Sequence, residues 1–159
     1  MADEITGLPL IRTKLQRPRL PEDLIPRRRL LDRLHAGTDH KLTLISAQAG
    51  AGKTTLLAQW LAESSQPSAW LSLDEHDNDL HVFLSYLCAT IHTVLPSACE
   101  NVRGLLEMAQ SPPPRAIVGL LANDLAGALA DPSQGSPSGL ILALDDYHHL
   151  TAPAITELM

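Results

Sequence analysis

Eight residues, Ala47-Gln48-Ala49-Gly50-Ala51-Gly52-Lys53-Thr54, have the types and order needed to hold a phosphate group. Small residues from Ala49 to Gly52 let successive backbone N–H groups turn inward around an anion, and glycine accommodates the positive φ that such a turn requires. A helix opening near Lys53 would add its free N–H groups and the positive end of its dipole. Lys53 would set its ammonium against the β- and γ-phosphates, the Thr54 hydroxyl would ligate Mg²⁺, and Thr55 would support the α-phosphate side. The pattern is that of the P-loop, G-x-x-x-x-G-K-[ST], with Ala47 in place of the first glycine. It points to ATP with Mg²⁺ as the ligand. A glycine-rich helix entry with a chance Gly-Lys-Thr is the plainer alternative.

A second constellation lies further along the chain. Leu140-Ile141-Leu142-Ala143-Leu144 is an apolar run that stops at Asp145-Asp146. P-loop enzymes hold Mg²⁺ with an acidic residue at the end of such a strand, the Walker B element. Asp145 would contact the ion through water, and Asp146 would orient or deprotonate an attacking water. Alone, two aspartates at a strand end are equally well explained as a turn; beside a P-loop, each motif supports the other.

Other chemistry-bearing residues read more plainly. The acidic stretch Asp74 to Asp79 is expected to be a solvated loop and a helix N-cap rather than a cation site. Cys88 and Cys99 lack metal-ligand spacing, and Cys88 falls in an apolar helical pattern that suits a buried thiol. His148-His149 is the one close histidine pair, and adjacent side chains at a strand exit are expected to point apart.

Positioning these groups requires strands that alternate with helices. Residues 1–26, with prolines at 9, 18, 21 and 26, read as an extended basic leader. Leu30, Leu31 and Leu34 fall at helical spacing, and Gly37 ends that helix. Lys41 to Ser46 is a candidate central strand, followed by a P-loop over residues 47–54. Thr54 to Glu63 reads as a helix with Leu57, Trp60 and Leu61 facing a core. Ala69 to Leu73 is a second strand. Leu80, Phe83, Leu84, Leu87, Ile91 and Leu95 form one helical stripe. A weaker helix is expected over 97–108, another over 115–130, and turns at 111–114 and 131–139. The Walker B strand would span 140–146, with an apolar run suited to a parallel strand covered on both faces. Residues 27–159 are thus the expected N-terminal part of a P-loop ATPase domain, a three-layer α/β/α fold with a parallel sheet.

The chain of 159 residues is 45% hydrophobic and 19% charged, values of a globular protein. Its net charge of -6 argues against non-specific nucleic-acid binding. Basic residues nevertheless crowd the segment from Arg12 to Arg33, a pattern read as a solvated arm and helix face. The alternative brings one or two of these arginines to a nucleotide or a partner. No apolar run suits a bilayer, and Met1 to Gly7 lacks signal-peptide features, so the cytoplasm is the expected location, without membrane contact.

The segments Thr13-Lys14-Leu15, Pro26-Arg27-Arg28-Arg29-Leu30-Leu31, Ser46 through Thr55, Trp70-Leu71-Ser72-Leu73-Asp74 and Asp145-Asp146-Tyr147-His148 together resemble MalT-like regulators. These are large LuxR-type bacterial transcription activators whose N-terminal ATPase belongs to the STAND class. The resemblance runs from about Leu10 to Leu150, and alanine at the first P-loop position is ordinary in that family. It implies an ATP-dependent switch that binds ATP or ADP and self-associates in the ATP state. It also implies that Arg27 sits near the adenine. DNA would be contacted only by regions that this sequence does not contain.

In this ATPase class a later strand separates the P-loop strand from the Walker B strand. With that strand missing, the sheet would have a central gap or the two strands would pair abnormally across it. The fold is therefore expected to be incomplete at its C-terminus, with weak nucleotide binding and little or no turnover. A self-contained small P-loop NTPase or kinase is the alternative enzyme reading. An interaction module that keeps ATP only as structural glue is the non-enzymatic one.

Overall fold

The computed structural model describes residues 9–107, 113–130 and 139–158. The acidic N-terminus and most of the two expected turns at 111–114 and 131–139 lie outside these residues. Two compact units are present: residues 17–66, and residues 1–16 together with 67–159.

In the larger unit, β1 (Ser68–Ser72) and β2 (Ile141–Asp145) form a parallel two-stranded sheet, Ser68 opposite Ile141 and Ser72 opposite Asp145. The Leu73 N–H donates to the Asp145 carbonyl at 3.0 Å, extending the ladder to the end of β2. A parallel pair needs a long crossover. Here it carries α3 (Leu80–His92), α4 (Glu100–Leu106) and α5 (Pro114–Ala130). A short helix, α6 (Pro153–Thr156), follows β2. It begins on proline, whose fixed φ suits a first helical turn.

The core of this unit gathers Leu71 from β1, Phe83, Leu84, Leu87 and Ile91 from α3, Val102 from α4, Ile117 from α5 and Ile155 from α6. The predicted stripe of α3 lies in this core, but burial is not confined to one face: every residue from Phe83 to Ile91 is buried, while Leu80 is half-buried. Asp79 accepts from the Val82 N–H at 3.0 Å and caps α3, as expected. Nothing in its own N-cap residue, Cys99, serves α4 in that way. Instead Asp124, from the middle of α5, accepts from the backbone N–H groups of Asn101 (3.0 Å) and Val102 (3.2 Å).

Residues 12–15 are not extended. They form a 3-10 turn, and Lys14 is only 9% exposed. Its ammonium donates to both carboxylate oxygens of Asp77 (2.7 and 2.6 Å) and to Asp74 (3.0 Å), 4.6 Å from the Tyr86 ring centre. The Ile11 N–H donates to the Tyr86 hydroxyl at 3.1 Å. Asp77 has no solvent exposure, so the acidic stretch is not wholly a solvated loop: a buried carboxylate must be paired, and Lys14 pairs it. Burial by itself would lower the Lys14 pKa, but the hydrogen bonds to Asp77 and Asp74 outweigh it and raise it. Burial acts on Asp74 in the direction of protonation, and the bond from Lys14 reverses this, lowering its pKa.

In the smaller unit, α1 (Arg28–Ala36) packs on α2 (Lys53–Glu63). Glu63 accepts from Arg28 at 3.4 Å and lies 3.6 Å from His35. The core face of α2 is Leu56, Ala58, Trp60 and Leu61, with Leu57 only half-buried, a shift of one position at the start of the stripe.

The expected strand Lys41–Ser46 is not formed. The segment runs into the loop without a ladder, and Leu42 and Leu44 are 84% and 78% exposed. A strand exists only where its N–H and C=O groups find a neighbour. Among the described residues β2 takes β1 as its partner and no other strand pairing occurs. No described helix is long and apolar enough to cross a membrane.

Candidate phosphate-binding site

The loop 47–52 owes its shape to its glycines. Gly50 (φ 77°) and Gly52 (φ 78°) both take the left-handed conformation, which costs other residues about 1–2 kcal/mol. The Ala51 N–H donates to the Gln48 carbonyl at 3.2 Å, closing the first turn of the loop. Gly52 then serves as N-cap of α2, and having no side chain it bonds none of the helix's first N–H groups. The first turn of α2 carries no acidic residue either. Neither the N-cap residue nor an acidic side chain in the first turn thus offsets the positive end of the helix dipole. That arrangement fits an anion, and space above Gly50 is open, since a Cβ there would meet nothing within 4 Å.

Two cations flank the loop. The Lys53 ammonium folds back to donate to the carbonyls of Ala47 (3.1 Å) and Gln48 (3.3 Å). The Arg27 guanidinium donates to the Ala51 carbonyl at 2.8 Å, and a Cβ on Gly52 would come within 3.4 Å of it. Arg27 is also the N-cap of α1, so the start of that helix and the end of the loop are tied through one side chain. Ala47, Gln48, Ala49 and Gly50 are exposed, while Ala51 to Thr55 are half-buried. The structure thus brings Arg27 and residues 47–55 together in the smaller unit.

Asp145 and Asp146 belong to the larger unit, and their environments differ. Asp145 is the last residue of β2 and is buried; Asp146 is exposed and takes a left-handed φ of 56°. A 3-10 turn, Tyr147–His149, follows at once. Asp146 lies 3.9 Å from the His148 ring, and the rings of His148 and His149 sit 4.2 Å apart, so these neighbours do not point away from each other. Tight 3-10 winding, rather than strand alternation, sets their directions. No group of three or more His, Cys, Asp or Glu side chains among the described residues could hold a metal. Mg²⁺, which binds through one or two carboxylates plus phosphate oxygens, needs no such cage.

Sequence reasoning missed two contributors. Lys14 reads in sequence as one of several solvated basic residues, although its role needs Asp74 and Asp77, 60 and 63 positions away. Asn78 drew no attention, yet its side chain holds the backbone after β2. Neither has a local signal, because each acts on residues distant in sequence.

No protein-family profile matches the chain. Curated relatives do match, among them the following. The HTH-type transcriptional regulator MalT of Cronobacter sakazakii is 37% identical over 150 residues, covering 94% of this chain. Those of Yersinia pestis and Yersinia pseudotuberculosis are 38% identical over the same length. In each case the chain spans 16% of the relative's own length.

Proposed function

We propose, because this chain belongs to the MalT family of HTH-type transcriptional regulators, that it is the Mg-ATP-binding part of a nucleotide switch in such a regulator. The observation that most supports this is the N-terminus of α2, which opens from two left-handed glycines, has glycine as its N-cap and carries Lys53 in its first turn. In this reading the backbone of Ala47 to Gly52 receives the phosphates, and Lys53 leaves the Ala47 and Gln48 carbonyls to meet them. Thr54 and Asp145 are the protein's ligands to Mg²⁺, Thr55 supports the α-phosphate side, and Arg27 lies on the nucleotide side of the loop. Bound Mg²⁺ would neutralise charge on the phosphates. Asp146, exposed at the end of β2, would orient or deprotonate a water.

The fold that goes with this function is a P-loop three-layer α/β/α domain, of which residues 27–159 are the N-terminal part. The transcriptional role belongs to the longer protein: DNA contact through other regions, self-association in the ATP state, and action in the cytoplasm. Turnover by this chain alone is expected to be slight, since among the described residues Lys41–Ser46 has no strand partner to brace the loop.

The test is thermal melting of the chain with and without Mg-ATP, beside Lys53→Ala. Ligand at about 100 times its Kd adds roughly 2.7 kcal/mol to stability, a visible shift in Tm. The shift should appear in the parent and vanish in the variant. A cooperative melt with no shift in the parent rules the reading out.

A further inference from the structure

We propose that Asn78 is a positioning residue for the acidic turn at the end of β2, fixing the backbone on which Asp145 and Asp146 are presented. Its carboxamide is fully used. The Nδ2 group donates to the carbonyls of Glu75 (3.2 Å) and His149 (2.7 Å). Oδ1 accepts from the N–H groups of Thr151 (2.7 Å) and Ala152 (3.0 Å), with the Thr151 hydroxyl at 3.4 Å.

Only an amide can do this, because the site demands two donors and an acceptor within one short side chain. An aspartate would set charge against two carbonyl oxygens. The segment that carries Asn78, Glu75–Asn78, is itself anchored: its neighbour Asp77 binds Lys14 and accepts from the Asp74 N–H at 2.8 Å. Asn78 therefore reaches the second loop from a fixed base.

The turn needs such a hold. Its upstream end is fixed by β2, where the Asp145 carbonyl accepts from Leu73. Immediately afterwards Asp146 adopts a left-handed φ, which aspartate takes more readily than most residues with a Cβ but which still turns the chain sharply at this point. The His149 N–H returns to the Asp146 carbonyl at 3.0 Å, and Asn78 grips residues 149, 151 and 152 just beyond. With both ends held, the direction of the Asp146 side chain is set.

The functional half of this inference rests on the reading of Asp145 and Asp146 given above, so the experiment has two readouts. Amide hydrogen exchange on the full chain should show Thr151 and Ala152 exchanging about tenfold faster in Asn78→Ala, with residues 69–72 and 142–144 unchanged. ATP affinity, measured with Mg²⁺ and with EDTA, should lose its metal-dependent gain in the variant by about fivefold while the metal-free affinity stays constant. If Asn78→Ala does not fold, Asn78→Leu, of similar branched shape but with neither donor nor acceptor, takes its place, and the same two readouts apply. Unchanged exchange at Thr151 and Ala152 overturns the inference, and so does an intact Mg²⁺ response once those amides are released. A parent that binds no ATP under either condition overturns the nucleotide reading instead, and the exchange pattern then decides whether Asn78 fixes the turn.

Discussion

Replacing Lys14 by methionine isolates the charge of the buried clasp, because methionine keeps an unbranched stem of similar length and loses only the ammonium. Asp77, with no solvent exposure, would then keep a single donor, the Asp74 N–H, for a full negative charge. Removing one member of a buried ion pair costs about 3–5 kcal/mol, against about 0–1 for a surface pair. The low end applies here, since Asp74 is partly exposed and can turn to water. We expect Lys14→Met to lose about 3 kcal/mol, a large share of the usual total for a domain. Asp77→Asn removes the charge but keeps an oxygen for the Asp74 N–H, and it should lose about 2 kcal/mol by stranding the ammonium. The double variant should lose about 3 rather than about 5, a coupling of roughly 2 kcal/mol. Urea unfolding followed by the fluorescence of Trp70, which lies in β1, with Trp60→Phe in every variant to silence the second tryptophan, reads these values. With a slope of about 1–3 kcal/mol per molar, the single variant's midpoint falls by at least about 1 M. A Lys14→Met cost below about 1 kcal/mol, or strictly additive losses, would refute the claim that this pair is energetically buried.

The same clasp sets a pH response. Asp74, with its pKa lowered, contributes stability that is present above its ordinary value of 3.8 and is lost as pH falls through the lower folded value. Lys14, with its pKa raised, contributes below 10.5 and loses that contribution as pH rises through the higher folded value. Urea midpoints across pH should therefore hold between those limits and fall on both sides, and Lys14→Met should flatten the alkaline limb. Asp124→Ala should uncap α4 and cost about 1–2 kcal/mol, read as a loss of stability with faster exchange at Asn101 and Val102. Cys88 and Cys99 are buried, and the Cys88 thiol is pushed far up, first by its hydrogen bond with Cys99 and then by burial. Both should resist a thiol reagent in the native chain and react only on unfolding.

The sequence by itself determined helices α1 to α5, the apolar stripe within α3, both strands of the sheet and the glycine turn of residues 47–52, while the short helix α6 was not foreseen. These are set locally: apolar spacing selects the face of a helix, a capping aspartate starts it, and Gly50 and Gly52 permit a left-handed turn wherever they stand. Lys41–Ser46 shows the boundary of that logic. Its composition favours a strand, but pairing is a property of two segments, and β2 pairs with β1. Tertiary structure alone decided the long-range partners of Lys14, Asn78 and Asp124, which lie 22 to 74 positions away. A basic residue in a proline-rich segment reads as solvated until the fold closes two carboxylates around it. The physical reason is that burial, not residue type, turns a charge or an amide into a structural anchor, and burial is settled only when distant segments meet.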